Sequence, residues 1–175
     1  MKLWVFVLYL FFVLFNTNLF AGSCTAKDVE NAVKEIYSLY TTKGHTREVR
    51  EQVIEKNKND FSKRCDGLYV YILQGVTMLV HPSPVLDGKP QPTTRDKTPA
   101  AHGPAKDFQK ELMMRAENQP SGSYVNYVWV GPDNVSLICK SAYVMGVKDP
   151  TNPKKVYIVA SGYTRNNYVN KGDCN

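Results

Sequence analysis

Leu68 to Lys89 reads LYVYILQGVTMLVHPSPVLDGK, and the layout of the chain follows from it. Leu68 to Leu73 is a β-rich run, Gln74-Gly75 is a turn and Val76 to Val80 is a second run. Two apolar runs joined by so short a glycine-containing link predict a β-hairpin. His81-Pro82 ends the second strand, because proline has no N–H to give to a ladder. Pro82 to Pro104 then holds six of the ten prolines. A connection this long inside a domain is uncommon and reads as a lid, a binding loop or a plain surface excursion.

Upstream of the hairpin the spacing predicts two helices. Thr25 caps the first, with Asp28 three residues on as an imperfect capping box. Val29, Ala32, Val33, Ile36, Tyr37 and Tyr40 form one apolar stripe, and Lys43-Gly44 closes the helix. Thr46 starts the second, with Val49, Val53 and Ile54 facing inward, and Asn57 to Asp60 fray it. Downstream, Ala105 to Glu117 is a third helix, with Ala105, Phe108, Leu112 and Ala116 on one face. Tyr124 to Val130 alternates as a strand: Val125, Tyr127 and Trp129 share one side, Tyr124, Asn126 and Val128 the other. Val135 to Met145 returns the chain, and Val156 to Tyr163 is the last strand. Five strands with helices before and between them predict an antiparallel α+β domain.

The N-terminus reads as a secretory leader. Lys2 precedes an apolar core from Leu3 to Phe15, which spans only about 20 Å as a helix, too short for a bilayer. Residues 1–21 are therefore expected to be a signal peptide, cleaved after Ala21 or Ser23, ahead of one domain over 24–165 and a tail over 166–175. Ala21-Gly22-Ser23-Cys24 is lipobox-like, but the leucine expected three residues before Cys24 is missing, so a lipid anchor there is disfavoured. The expected location is periplasmic or secreted, with no transmembrane segment after processing. Export makes the four cysteines, Cys24, Cys65, Cys139 and Cys174, disulfide candidates. Of the three pairings, the favoured one is Cys24–Cys65 with Cys139–Cys174, each clipping a chain end to the body. The cysteine and histidine spacings match no zinc motif, so no metal or cofactor is implied. The formal charge is +6, but basic and acidic residues are interleaved, as in Lys56, Lys58 and Asp60, which argues against nucleic-acid binding.

Taken together, the motifs resemble the Cache family of extracytoplasmic sensor domains, in its single, type 2 subgroup. The likeness runs from about Val29 to Tyr163. It rests on the hairpin, His81-Pro82, Leu86 to Lys89, Asp96 and Phe108 to Leu112. It continues through Gly122, Val125, Tyr127, Trp129, Pro132, Lys140, Tyr143, Val144, Gly162 and Tyr163. The chain departs from the family pattern at Ala160, where a glycine is usual, and at Gln74, where Asp or Asn is usual. The resemblance implies a PAS-like five-stranded antiparallel sheet with N-terminal helices, covered by one helix and the long Pro-rich loop. It also implies a small-molecule ligand held between sheet and cover, and signalling to a membrane or envelope partner.

The residues themselves allow a binding site more readily than a catalytic one. No nucleophile elbow, H-E-x-x-H pair or phosphate-cradling glycine loop occurs, so the chain is expected not to be an enzyme. Tyr127 and Trp129 on one strand and Lys140 on the next present two aromatic walls and a cation, while Tyr71 and His81 offer hydrogen bonds. A lysine held against aromatics needs a counter-charge. Asp96 or Glu111 could supply it, or the carboxylate of a ligand. Tyr143 points away from Lys140 by strand alternation and is expected in the core. The expected function is an exported, stand-alone domain that binds or senses a small, anionic molecule, an organic acid or amino acid, without catalysis. The alternative is a disulfide-stabilised protein-interaction module on the same fold, with no ligand.

Overall fold

The first helix starts where its cap is satisfied twice. The Thr25 hydroxyl accepts from the Asp28 N–H at 3.3 Å, and the Asp28 carboxylate accepts from the Thr25 N–H at 2.9 Å and its hydroxyl at 2.6 Å. These donors hold the Asp28 carboxyl below its ordinary pKa. Helix α1 (Ala26–Lys43) then buries Val29, Ala32, Val33, Ile36 and Tyr40 along one stripe. Gly44 ends it at φ +66°, giving its N–H to the Tyr40 carbonyl. Thr46 caps α2 (Arg47–Lys56) through the Val49 N–H. In this computed structural model, residues 23–90, 95–170 and 172–174 are described, and the expected leader lies outside them.

The expected fraying at Asn57–Asp60 does not occur. The chain passes through a π-helical turn (Asn57–Phe61) into a last α turn (Ser62–Arg64). The wider turn places both Asn57 and Phe61 in the interior. There the Asn57 amide donates to the Val70 carbonyl and accepts from the Val70 N–H, both at 2.8 Å. A side chain thus satisfies the backbone just ahead of the first strand. A polar residue read as a fraying signal is instead the partner of the sheet entrance.

Strands β1 (Tyr71–Gln74) and β2 (Thr77–Val80) form the hairpin, and Gly75 takes φ +56° in the turn between them. Helix α3 (Phe108–Asn118) begins at Asp107, which caps the Lys110 N–H, so Ala105 lies outside it. Strands β3 (Ser123–Val130), β4 (Leu137–Lys148) and β5 (Val156–Asn167) follow. The sheet order is β2-β1-β5-β4-β3, antiparallel at every step. β5 runs past Tyr163 because it stays paired with β4 out to Ile138↔Asn167. The α+β architecture is as expected.

Two apolar layers sandwich the sheet. α1 and α2 cover Tyr143, Met145, Val147, Tyr157 and Val159 on one face, while α3 covers Val125, Ala142, Val144, Ile158 and Ala160 on the other. α3 lies hard on β4: a Cβ added at Gly146 would sit 2.3 Å from the Ala116 carbonyl oxygen. Both sheet edges are engaged. Met78 and Lys89 or Gly88 exchange backbone hydrogen bonds along β2, and Lys97 donates to the Val128 carbonyl along β3. The disulfides are Cys24–Cys65 and Cys139–Cys174, the favoured pairing. Among the described residues no helix is long and apolar enough to cross a membrane.

Two predictions follow from buried polar groups. Asn57→Ala leaves the Val70 amide and carbonyl without their partner and should cost about 2–4 kcal/mol, read as a lower urea midpoint at unchanged slope. Asp149 accepts from the Thr151 hydroxyl at 2.6 Å, the Tyr157 hydroxyl at 2.6 Å and the Thr151 and Asn152 N–H groups, which lower its pKa. A depressed carboxyl stabilises the fold above its unfolded value, about 3.9, and that contribution is lost as pH falls below it. In Asp149→Asn, stability should therefore fall less steeply on acidification than in the wild type.

Candidate functional site

Strand alternation brings the side chains together. Tyr127 and Trp129 stand on the α3 side of β3, and Tyr127 is the register partner of Lys140 on β4. Tyr71 projects to the same side from β1, and His81 follows the end of β2. All five line one cavity of about 240 Å³ between the sheet, α3 and the start of the Pro-rich loop. Tyr69, Phe108, Gln109 and Leu86 complete its wall. Gly162 leaves space for it: a Cβ there would come within 3.3 Å of the Tyr127 hydroxyl.

The walls are aromatic. Phe108 lies 4.0 Å from Tyr127 between ring centroids, and Tyr127 meets Trp129 edge-on at 6.0 Å. On the other side, Tyr69 meets His81 edge-on at 5.2 Å and Tyr71 at 6.1 Å. The Lys97 ammonium stands 5.7 Å above the Trp129 ring. Burial pushes the phenols of Tyr69, Tyr71 and Tyr127 upward, so each remains an O–H donor at neutral pH. Among the described residues, the hydroxyls of Tyr71 and Tyr127 have no hydrogen-bond partner.

His81 is held from two sides. Its N–H donates to Asp87 Oδ1 at 3.0 Å, and Asp87 also pairs with Arg50. The ring Nδ1 accepts from the Ser83 N–H at 2.9 Å. Burial lowers the imidazole pKa, so the neutral ring dominates at physiological pH and carries its proton on Nε2. The Pro-rich segment is thus tied back to the strand it follows, through Asp87.

Lys140 is the odd charge. Burial lowers its pKa, and no carboxylate lies within ion-pair distance among the described residues. Asp96 is committed elsewhere: it accepts N–H groups from Lys106 at 2.9 Å, Thr98 at 3.3 Å and Val128 at 3.4 Å, and the Thr98 hydroxyl at 3.0 Å. Glu111 faces Arg115 at 3.7 Å. Every Asp and Glu of the chain is described, so no aspartate or glutamate elsewhere can supply the charge. Tyr143 lies on the opposite side, its hydroxyl donating to the Ser121 carbonyl at 3.1 Å.

Sequence reasoning missed Tyr69, Phe108 and Gln109. Tyr69 was legible, being two residues from Tyr71 and so on the same side of an extended run. Phe108 reads from its helical spacing as core. Gln109 shares a helical face with Leu112 and Ala116, and a polar residue on an apolar face is the informative exception.

No family model matches the chain, and no curated protein matches it. Solved structures do. One is described as the periplasmic sensor domain of a chemotaxis protein, with TM-score 0.53 and 21% identity over 77% of this chain and 86% of that one. Another is a Cache chemosensory domain described for its carboxylic acid recognition, with TM-score 0.52 and 21% identity over 77% of this chain and 84% of that one. The chain has the fold of the Cache sensor domains.

An unpaired, partly desolvated ammonium opposes folding, because the unfolded chain holds that proton more tightly. Lys140→Met should therefore be at least as stable as the wild type in ligand-free buffer. The difference should narrow as pH rises toward about 10.4, where lysine discharges in the unfolded chain as well. Urea melts of both proteins at several pH values check this.

Proposed function

We propose that this is an exported domain that binds a small organic acid or amino acid without transforming it. The observation that carries the reading is Lys140, a cation kept in an aromatic cavity while Asp96 and Glu111 serve other groups. Lys140 is half-buried, and an unpaired cation there is relieved when a partner arrives, which a ligand carboxylate can be. Lys140 provides the charge, Tyr71, Tyr127 and His81 Nε2 provide donors, and Trp129 provides a wall. The carboxylic acid recognition described for one structural neighbour supports the same ligand class. The cavity, about 240 Å³, is smaller than the ~300–1,000 Å³ of drug-sized sites, which favours a guest of few atoms.

The two disulfides support an oxidising compartment, periplasmic or secreted. With Cys24 bonded to Cys65, its sulfur is not available to a lipid. In this reading the domain reports its occupancy to a separate membrane or envelope protein. A thermal-shift screen of short carboxylates and amino acids tests the proposal. An acid at 100 times its dissociation constant adds about 2.7 kcal/mol, which moves the midpoint by about 5–10 °C for a domain of this size. The shift should vanish in Lys140→Ala. If no acid moves the midpoint, the interaction-module reading replaces this one.

A further inference from the structure

We propose that the guest is an unsubstituted aliphatic monocarboxylate, and that the cavity turns away amino acids, hydroxy acids and dicarboxylates. This rests on the carboxylate reading above and narrows it. The polar atoms that open into the cavity are donors. The hydroxyls of Tyr69, Tyr71 and Tyr127 and the Lys140 ammonium have no hydrogen-bond partner among the described residues, yet the buried side-chain atoms left without one are Gln109 Oε1 and Arg115 Nε. The four groups therefore keep surface that a water molecule can touch. Tyr71 and Tyr127 are each only 7% exposed, so their surface faces the hollow they line. His81 Nε2 adds another donor, because Nδ1 is taken by the Ser83 N–H. Gln109 adds nothing: its Oε1 is sealed and its Nε2 is spent on the Gly75 carbonyl at 3.4 Å.

The charge in the hollow balances for one kind of guest. Lys140 is the single charged side chain among the described lining residues at neutral pH. One carboxylate brings the site to neutrality. An amino acid adds an ammonium that no lining carboxylate can meet, and a dicarboxylate adds a second anion with no second cation. Either leaves a charge unbalanced where water is scarce. Beyond the carboxylate the wall is hydrocarbon. Lys140 is level with Thr164 on β5, with Tyr127 beside it on β3, whereas Leu73 is level with Ile158 and pairs with Met78 across the hairpin. Leu73, Met78 and Leu112 all line the cavity, and none of them offers an oxygen or nitrogen. A hydroxyl on the tail would lose its water there without a replacement, while an alkyl tail gains by burial.

Calorimetric titration of the processed chain decides the matter. Butyrate, both enantiomers of 2-aminobutyrate, 3-hydroxybutyrate and succinate share a four-carbon frame and differ in charge and polarity. Butyrate should bind about tenfold or more tightly than each of the others. From acetate through propionate to butyrate, affinity should rise about fourfold per methylene, as expected for a buried CH₂. In Met78→Gln, which keeps the length of the side chain but places an amide at the hydrocarbon end, that rise should shrink. A substituted or doubly charged acid that comes within a few-fold of butyrate overturns the inference. So does a flat series from acetate to butyrate in the wild type, or a rise that Met78→Gln leaves intact. Those results leave the carboxylate reading standing. If none of the acids binds, the carboxylate reading falls and takes this inference with it.

Discussion

β4 and β5 pair from Lys148↔Val156 to Ile138↔Asn167, and both helical layers take their positions from that ladder. Residues of alternate parity along β4 serve opposite sides. Tyr143, Met145 and Val147 pack under α1, while Ala142, Val144 and Gly146 face α3. Gly146 lets the α3 backbone come into contact with the sheet near Ala116. Toward the other end of the strand the residues opposite one another are Ala142 and Gly162, which fill little space. The helix is close at one end and the floor is small at the other, so a hollow remains beside Lys140.

The electrostatics of that hollow depend on hydrogen bonds made outside it. Asp96 spends its carboxylate on backbone N–H groups that fasten the Pro-rich segment to β3. Asp87 does the same work at β2, holding His81 and Arg50 together. Glu111 turns along its own helix to Arg115. Each acid near the cavity has a structural task, and the cation is left without one. An ion pair at Lys140 would have made the same fold without an unbalanced charge, so its absence is the feature that sets this cavity apart from ordinary core.

Much of the fold was legible because its signals are local. Thr25 with Asp28, Thr46, and Gly75 in the hairpin are capping and turn chemistries that act within a few residues. The misread places are those where a distant partner overrode a local preference. Asn57 looks like a helix breaker until Val70 is beside it, and Ala105 fits the helical stripe until Asp107 caps the helix later. β5 outlasts its apolar run because β4 continues to pair with it, so polar Arg165 to Asn167 remain in a strand. The site residues divide in the same way. Tyr127, Trp129 and Tyr71 follow from alternation, but Gln109 stands out only once its carbonyl is found to be buried without a partner among the described residues.

The sequence by itself determined which side chains share a face, where the first two helices begin, and that Lys140 lies opposite Tyr143 across its strand. Period-2 and period-3.6 patterns carry that information in a short window. Tertiary structure alone decided that β1 joins β5, that the cavity closes under α3, and that neither Asp96 nor Glu111 neutralises Lys140. The reason is physical: facing is a property of the local backbone, whereas the choice of partner for a charge depends on every donor and acceptor that folding brings within reach.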